Sequence, residues 1–373
     1  MAVGFPAVRS SLNRCGAWTY DAVMNVLATG GAGYIGSHAV LRLLRDGHRV
    51  VVVDNLFRGH RAAIDAIAKA AGEGAKGRFS FVQGEISDST LVRKAMSDHA
   101  VDTVMHFAAL TYVGESVNQP LQYYRTNTAG ALSLIESAEA CGVQRFVFSS
   151  TAATYGEPPA DKVPIQETLA PAPINPYGAS KLMVERLLSD FNASQKAAGK
   201  PFAYACLRYF NVAGCDRSGA LGEHHEPETH LVPIVLQCLL GLRPQAENTL
   251  SIFGDDYPTP DGTCVRDYVH VEDLVDAHVT VMNALKPGDG RIYNLGIGNG
   301  LSVKQIVQSV ERVTGMKVKT KIGPRRAGDP ATLYADPGKI AREIGWKAKI
   351  TNVDEIVASA WAWFKANPKG YAK

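Results

Sequence analysis

Apolar residues along this chain follow two alternating patterns. Short runs such as NVLATG (25–30), HRVVVVDN (48–55), RFSFVQGE (78–85), VDTVMHFAA (101–109) and QRFVFSS (144–150) are dense in Val, Ile and Phe, without polar residues at every second position. Between them lie stretches such as SHAVLRLLRDG (37–47) and TNTAGALSLIESAEACG (126–142), whose apolar positions recur at helical spacing, the second closing on Gly142. Unalternating strands are buried on both faces, and strands separated by helices run parallel with the helices covering them. The pattern therefore predicts an α/β fold, a doubly wound parallel (Rossmann) sheet. After FAYACLRYFNVAG (202–214) the rhythm changes: from about Cys215 to Arg266 the chain is rich in Pro, Gly and acids, with one helix around LVPIVLQCLLG (231–241). Well-formed elements return at RIYNLGIG, LSVKQIVQSVERVTG and VDEIVASAWAWF. We expect a first domain over 24–205 and a smaller C-terminal domain over 206–373, with some later elements packing back on the first sheet.

Composition narrows the function. A chain of 373 residues can bury a large core, and 46% hydrophobic with 20% charged residues is ordinary for a globular protein. The net charge of +3 comes without a Lys/Arg run, which argues against a nucleic-acid partner. No stretch is long and apolar enough to span a bilayer, so no membrane association is expected. Six cysteines are scattered without a CxxC pair, the pattern of reduced thiols in a cytoplasm. His224, His225 and His230 lack a second ligand cluster, so they read as incidental and no metal is expected. The first 23 residues lack a signal peptide's apolar core, and two arginines against one acid give only a weak organelle-targeting composition. They read as a disordered extension outside the fold.

Candidate chemistry begins at TGGAGYIGSH. It follows a strand, opens a helix, and satisfies GxGxxG through Gly31, Gly33 and Gly36, and GxxGxxG through Gly30, Gly33 and Gly36. Such glycines let backbone N–H groups approach a pyrophosphate at the positive end of a helix. Asp54 ends the next strand, where an acid accepts hydrogen bonds from adenosine ribose hydroxyls and repels a 2′-phosphate. NAD is favoured over NADP, with Arg58 beyond the strand end a mild argument the other way. A flavin or a purely structural turn are the lesser readings.

INPYGASK (174–181) opens a helix at Pro176 and sets Tyr177 and Lys181 four residues apart, on one face. A lysine beside a phenol favours the phenolate and lowers its pKa towards neutrality. FSSTAATYG (148–156) ends the fifth predicted strand, whose C-terminus faces the ligand crevice of such a sheet and brings Ser149, Ser150 and Thr151 near the nicotinamide. A hydroxyl (Thr151), a tyrosine base (Tyr177) and a lysine (Lys181) around a nicotinamide can move a proton and a hydride together.

TGGAGYIGSH, DNL, HFAALTYVGES, FSSTAATYG, PYGASK, LRYFNVAG, IFGDDYPTPDGTCVRDYVHV and YNLGIGNG together resemble the extended short-chain dehydrogenase/reductases, from Met24 to the C-terminus. The likeness is strongest to the members that invert C4 of UDP-glucose and UDP-galactose. It implies that Tyr177 takes the proton of the sugar 4-hydroxyl while a resident NAD takes the C4 hydride. The 4-keto sugar then turns over and the hydride returns to its other face, with no net oxidation. Cofactor contacts implied by matching residues are Tyr34, Ile35, Asp54, Asn55, Glu85, Ile86, Phe107, Ala108, Ala109 and Phe210, beside the glycines, Tyr177 and Lys181. Substrate contacts implied are Thr151, Tyr177, Asn211, Leu231, Phe253, Arg266, Tyr268, Arg326, Asp329 and Leu333. Arg266 and Arg326 suit a diphosphate, and Phe253 a uracil face. The chain departs from the family pattern at Thr111, where a cofactor-contacting lysine is expected, and at Glu85 and Thr126, for aspartate and asparagine.

A sugar-nucleotide 4,6-dehydratase is disfavoured because Ala152 and Ala153, not an Asp-Glu pair, follow Thr151. A noncatalytic NAD-binding regulator would tend to lack Tyr177 or Lys181. Epimerisation of another UDP-sugar, a pentose or uronic acid, is the runner-up. The apolar excess of the helices around Ala129–Cys141 and Leu182–Phe191 fits a homodimer, as the resemblance also implies. Leu333 stands where the family varies between tyrosine and smaller residues, which implies room for an N-acetyl group at the sugar 2-position.

Overall fold

The valine-rich runs become strands and the amphipathic stretches between them become helices. The computed structural model describes residues 23–244, 248–326 and 329–371. The N-terminal extension, apart from Val23, lies outside the described residues. In chain order the first elements are β1 (Asn25–Thr29), α1 (Tyr34–Arg45), β2 (Arg49–Asp54), α2 (Arg61–Ala71), β3 (Phe79–Gln83), α3 (Ser89–Asp98) and β4 (Thr103–His106). Two short helices, α4 (Val113–Asn118) and α5 (Pro120–Tyr123), lead through a π-helical turn (Tyr124–Ala129) into α6 (Gly130–Ala140), β5 (Arg145–Thr151), α7 (Pro176–Ala197) and β6 (Ala203–Tyr209). The remainder comprises β7 (Asn211–Ala213), α8 (Leu231–Leu239), β8 (Leu250–Phe253), β9 (Val265–Arg266), β10 (Tyr268–His270), α9 (Val271–Ala284), β11 (Gly290–Leu295), β12 (Leu301–Ser302), α10 (Val303–Thr314), β13 (Thr320–Gly323), β14 (Thr332–Leu333), α11 (Gly338–Ile344) and α12 (Val353–Ala366). None of the described helices is long and apolar enough to cross a membrane.

The chain divides into two compact units. One takes the residues up to Thr154, Asn175–Arg208 and Val275–Tyr293; the other takes Tyr155–Ile174, Tyr209–Leu274 and the residues from Asn294 onward. The first unit is built on a seven-stranded sheet ordered β11-β6-β5-β4-β1-β2-β3, in which the pairs from β3 to β5 are parallel. Every residue of β1, β4 and β5 is buried, as expected of strands covered on both faces. Leu27, Val51, Val104, Phe146 and Phe148 join Val92, Leu134, Val184 and Leu188 of the helices in one apolar core. The strand order reverses between β1 and β4, the position at which doubly wound sheets bind ligands.

The second unit holds small sheets, β10-β7, β12-β9-β14 and β13-β8. Its core gathers Val232, Leu236, Ile306, Val310, Ile356, Val357 and Trp363 from α8, α10 and α12. Ser302 opens α10 with a reciprocal capping box to Gln305, which fixes the entry of that helix.

Candidate active site

The glycine turn after β1 fits a dinucleotide. Gly30 has φ +71°, and a Cβ there would press on the backbone of Ala108 in the loop after β4, so the two loops at the switch point meet only through a glycine. Gly36 is required because a Cβ would collide with the Gly30 carbonyl. Gly33 differs: its φ of −83° suits any residue, and a Cβ would meet only the Gly30 oxygen at an ordinary 3.4 Å. Nothing in the described protein demands glycine at that N-cap, so its open side is a cradle that a side chain would fill. No side chain caps α1 and its first turn carries no acid, which leaves first-turn N–H groups for an anion.

Asp54 Oδ2 accepts a hydrogen bond from the Ala32 N–H at 2.9 Å and Oδ1 one from the Leu56 N–H at 2.8 Å, joining the end of β2 to the glycine turn. Burial raises its pKa against these bonds. Asn55 donates to Glu85 at 2.9 Å. Arg58, the residue that argued for NADP, pairs with Glu115 at 2.8 Å and lies 4.6 Å over the Tyr112 ring. Its charge is held by those partners, which favours the Asp54 reading. Phe107 and Ala108 both donate backbone N–H groups to the Thr29 carbonyl, and Ala109 follows in the same loop. The Ile86 side chain belongs to the core. Phe210 lies between β6 and β7, in the second unit.

The three catalytic candidates come together in the first unit. Asn175 caps α7 by accepting from Gly178 N at 2.9 Å and Pro176 occupies the first turn, which sets Tyr177 and Lys181 on one buried face. Tyr177 packs with Leu110 and Tyr123, its ring edge-on to Tyr123 with centroids 6.5 Å apart. Burial raises the Tyr177 pKa, and a hydrogen bond with the Thr151 hydroxyl opposes the rise. Lys181 is 3% exposed; its Nζ donates to the Ser149 carbonyl at 2.7 Å and lies 4.6 Å over the Phe148 ring. Burial brings its pKa down to about 7, against the pull of Glu185. Burial is the largest influence on the Tyr177 pKa, and Thr151 the opposing one.

Several supporting residues escaped the sequence reading. Glu185, one turn beyond Lys181, accepts from the Ser150 hydroxyl and from Arg208 in a pair whose side chains are each 3% exposed. Asn127 bonds the Leu110 N–H and C=O and the Ser180 hydroxyl, tying the loop after β4 to α7. The π-helical turn that carries Asn127 also carries Thr126, and such turns recur at functional sites. Thr111 is exposed near the end of the loop after β4. His106, stacked on Phe148, is kept neutral by burial and by Lys181, with its pKa down at about 3.

The substrate candidates of the second unit fall into pairs. Asn211 is the register partner of Tyr268 between β7 and β10, and Arg266 is the partner of Leu333 between β9 and β14. Arg266 forms an ion pair with Asp329. Arg326 lies 3.9 Å over the Phe253 ring, so the guanidinium covers a face that the sequence reading assigned to a base. Leu231 starts α8 and packs against the core that contains Tyr268. Asp267, between two candidates, was missed: its carboxylate accepts from Ile297, Gly298 and Ala335 N–H groups and so binds the loop after β11 and the segment after β14 to the β9–β10 junction. His225 and His230 meet the carboxylates of Glu223 and Glu228, whereas His224 accepts from Tyr371 N.

Residues 26–296 match the model of the NAD dependent epimerase/dehydratase family. The chain is 46% identical to the UDP-glucose 4-epimerase of Lactobacillus helveticus over 93% of its own length and 99% of that protein's. It is also 46% identical to UDP-arabinose 4-epimerase 1 of Arabidopsis thaliana, over 94% of this chain and 81% of that one. The crystal structure of a UDP-glucose 4-epimerase from Stenotrophomonas maltophila, with bound NAD and formylated UDP-arabinopyranose, superposes with a TM-score of 0.86 at 42% identity. That match covers 93% of this chain and 99% of the other.

Proposed function

The chain belongs to the NAD dependent epimerase/dehydratase family, and from this we propose that it interconverts UDP-glucose and UDP-galactose by inverting C4 through a transient 4-keto sugar. The observation that carries the reading is the pair Tyr177 and Lys181 on one buried face of α7, with Lys181 bonded to β5, the strand that carries Thr151, in the unit that also holds the glycine cradle. The cofactor is NAD, which when bound supplies the reversible hydride acceptor that the inversion needs. Gly33, Tyr34 and Ile35 would hold its pyrophosphate, and Asp54 its adenosine ribose. Tyr177 takes the proton from the sugar 4-hydroxyl and returns it, and Thr151 donates to the same oxygen. Lys181 orients α7 through Ser149 and keeps positive charge near the phenol. Because Tyr177 is buried, its proton is exchanged with the sugar oxygen and Thr151 more readily than with bulk water. Ala152 and Ala153 offer no acid or base, so water is not eliminated.

The first unit carries the catalytic residues and the cofactor contacts other than Phe210. The second carries the sugar nucleotide, with Arg266 and Arg326 on the diphosphate, Phe253 beside the base, and Asn211, Leu231, Tyr268, Asp329 and Leu333 completing the site. The enzyme works as a homodimer. Leu132 of α6 and Met183 of α7 are 41% and 46% exposed, and Leu121 of the neighbouring α5 is 75% exposed, which is the surface a helical dimer interface would cover. A monomer in light scattering at micromolar concentration counts against it. The free thiols Cys141, Cys206, Cys215, Cys238 and Cys264 support a cytoplasmic enzyme.

A second reading, 4-epimerisation of a UDP-pentose, is favoured by the equal identity to the plant UDP-arabinose enzyme. Incubation with a panel of UDP-sugars, with the C4 configuration of each product read by NMR and bound NAD measured, separates the two. Turnover of the pentose alone overturns the hexose assignment.

A further inference from the structure

In the second unit, the loop that leads into α8 gathers four side chains for which the epimerase chemistry has no use. Glu223, His225, Glu228 and His230 each present one donor atom, and the four atoms lie within 4.8 Å of one another. Glu223 Oε1 is 3.4 Å from Nδ1 of both histidines. Glu228 reaches the same two nitrogens, Oε2 at 3.4 Å from His225 and Oε1 at 2.9 Å from His230. Donors bound at zinc distances in a tetrahedron stand about 3.3–3.6 Å apart.

Three features separate this cluster from an ordinary surface ion pair. Both imidazoles turn the same nitrogen, Nδ1, towards one point, although they lie five residues apart in sequence. His225 Nδ1 is equidistant from two carboxylates at 3.4 Å, beyond the about 2.7–3.2 Å of a good N–H···O bond yet suited to two ligands of a common cation. Glu223 is 2% exposed, and its buried Oε1 receives no hydrogen bond. A buried carboxylate oxygen left this way is costly unless a cation completes it, either an imidazolium at 3.4 Å or a metal ion held between the four donors. Glu228 is also held by the backbone, since its Oε1 accepts the Thr229 and His230 N–H groups at 2.7 and 2.8 Å. Such supporting bonds orient a ligating carboxylate.

We propose that Glu223, His225, Glu228 and His230 bind one divalent transition cation of the zinc class. Two imidazoles with two carboxylates suit zinc better than calcium or magnesium, which prefer all-oxygen sites. Four protein ligands close the site, so the ion would be a structural staple, not a Lewis acid for the sugar. All four ligands lie in one short segment ending immediately before Leu231, so the ion would fix the start of α8.

The test uses the full, untagged chain, stripped with a chelator, reloaded with Zn²⁺, desalted and analysed for metal. Wild type is expected to retain about one zinc per chain and to melt at a higher temperature with zinc than without, as selective binding to the native state requires. In Glu228→Gln and in His230→Gln, zinc affinity measured by calorimetry should fall at least about tenfold, with circular dichroism confirming that each variant is folded. Loss of zinc from wild type on desalting overturns the proposal. So does undiminished binding by the two folded variants, which would place the zinc at the thiols or elsewhere.

Discussion

The Lys181 ammonium donates its hydrogen bond to the Ser149 carbonyl, at 2.7 Å, two residues before Thr151 on the same strand. This bond ties α7, which carries Tyr177, to β5, which carries Thr151. The arrangement carries an electrostatic cost, because burial lowers the Lys181 pKa from 10.5 to about 7. Between those values the folded chain binds fewer protons than the unfolded one at this residue, so its contribution to stability rises with pH across that window. Replacing Lys181 with Met should flatten the rise. Urea unfolding of both proteins at pH 7 and pH 9.5 checks this, and an unchanged slope would assign the pH dependence to other groups.

Tyr177→Phe removes the proton-transferring oxygen and little else, since the ring still packs against Leu110 and Tyr123. Epimerase turnover should fall by about 10²–10⁴-fold, with bound NAD and melting temperature close to wild type. Turnover within a factor of a few of wild type would remove Tyr177 from the mechanism.

Thr151 opposes the burial that raises the Tyr177 pKa. Thr151→Val loses that bond, so the phenol should rise further and the pH–rate profile move to alkaline pH. Thr151→Ser, which keeps the hydroxyl, should restore the profile. Equal profiles for the valine and serine variants would limit Thr151 to packing.

Glu185 and Arg208 form a buried pair, which Ser150 extends. Glu185→Gln leaves the guanidinium without its counter-charge and should cost about 3–5 kcal/mol in chemical denaturation. It also removes a charge that supports the Lys181 proton, so the Lys181 pKa should fall further. A loss well under 1 kcal/mol would show that solvent reaches the pair.

Leu333 sits opposite Arg266 in the β9–β14 pair and is half-buried. If it borders the sugar 2-position, wild type turns over UDP-N-acetylgalactosamine as well as UDP-galactose, and Leu333→Tyr loses the first while keeping the second. The steric counter-effect of added bulk is about 1–3 kcal/mol. Wild type inactive on the N-acetyl sugar, or a tyrosine variant equally active on both, would exclude Leu333 as the gate.

Features that depend on neighbours in sequence were legible from the chain alone. The unalternating strands announced a sheet covered on both faces, and the glycine turn with Asp54 announced a dinucleotide. Pro176 with Tyr177 and Lys181 placed two reactive groups on one helical face, because helical geometry is local. What charge those groups carry was not legible, because burial and distant partners decide it. Lys181 turned out to be committed to Ser149, and the Tyr177 pKa to rest on burial and Thr151. Glu185, Asn127 and Asp267 find their partners 23, 53 and up to 68 residues away, distances over which spacing carries no signal. A different limit hid the four-residue cluster before α8: its residues are close in sequence, but histidine and cysteine spacing passes over glutamates, and only the folded loop turns Glu223 and Glu228 onto the two imidazoles. Local pattern determined the elements and the identity of the reactive groups, whereas tertiary packing, which sets dielectric and long-range pairing, decided how each group is charged and held.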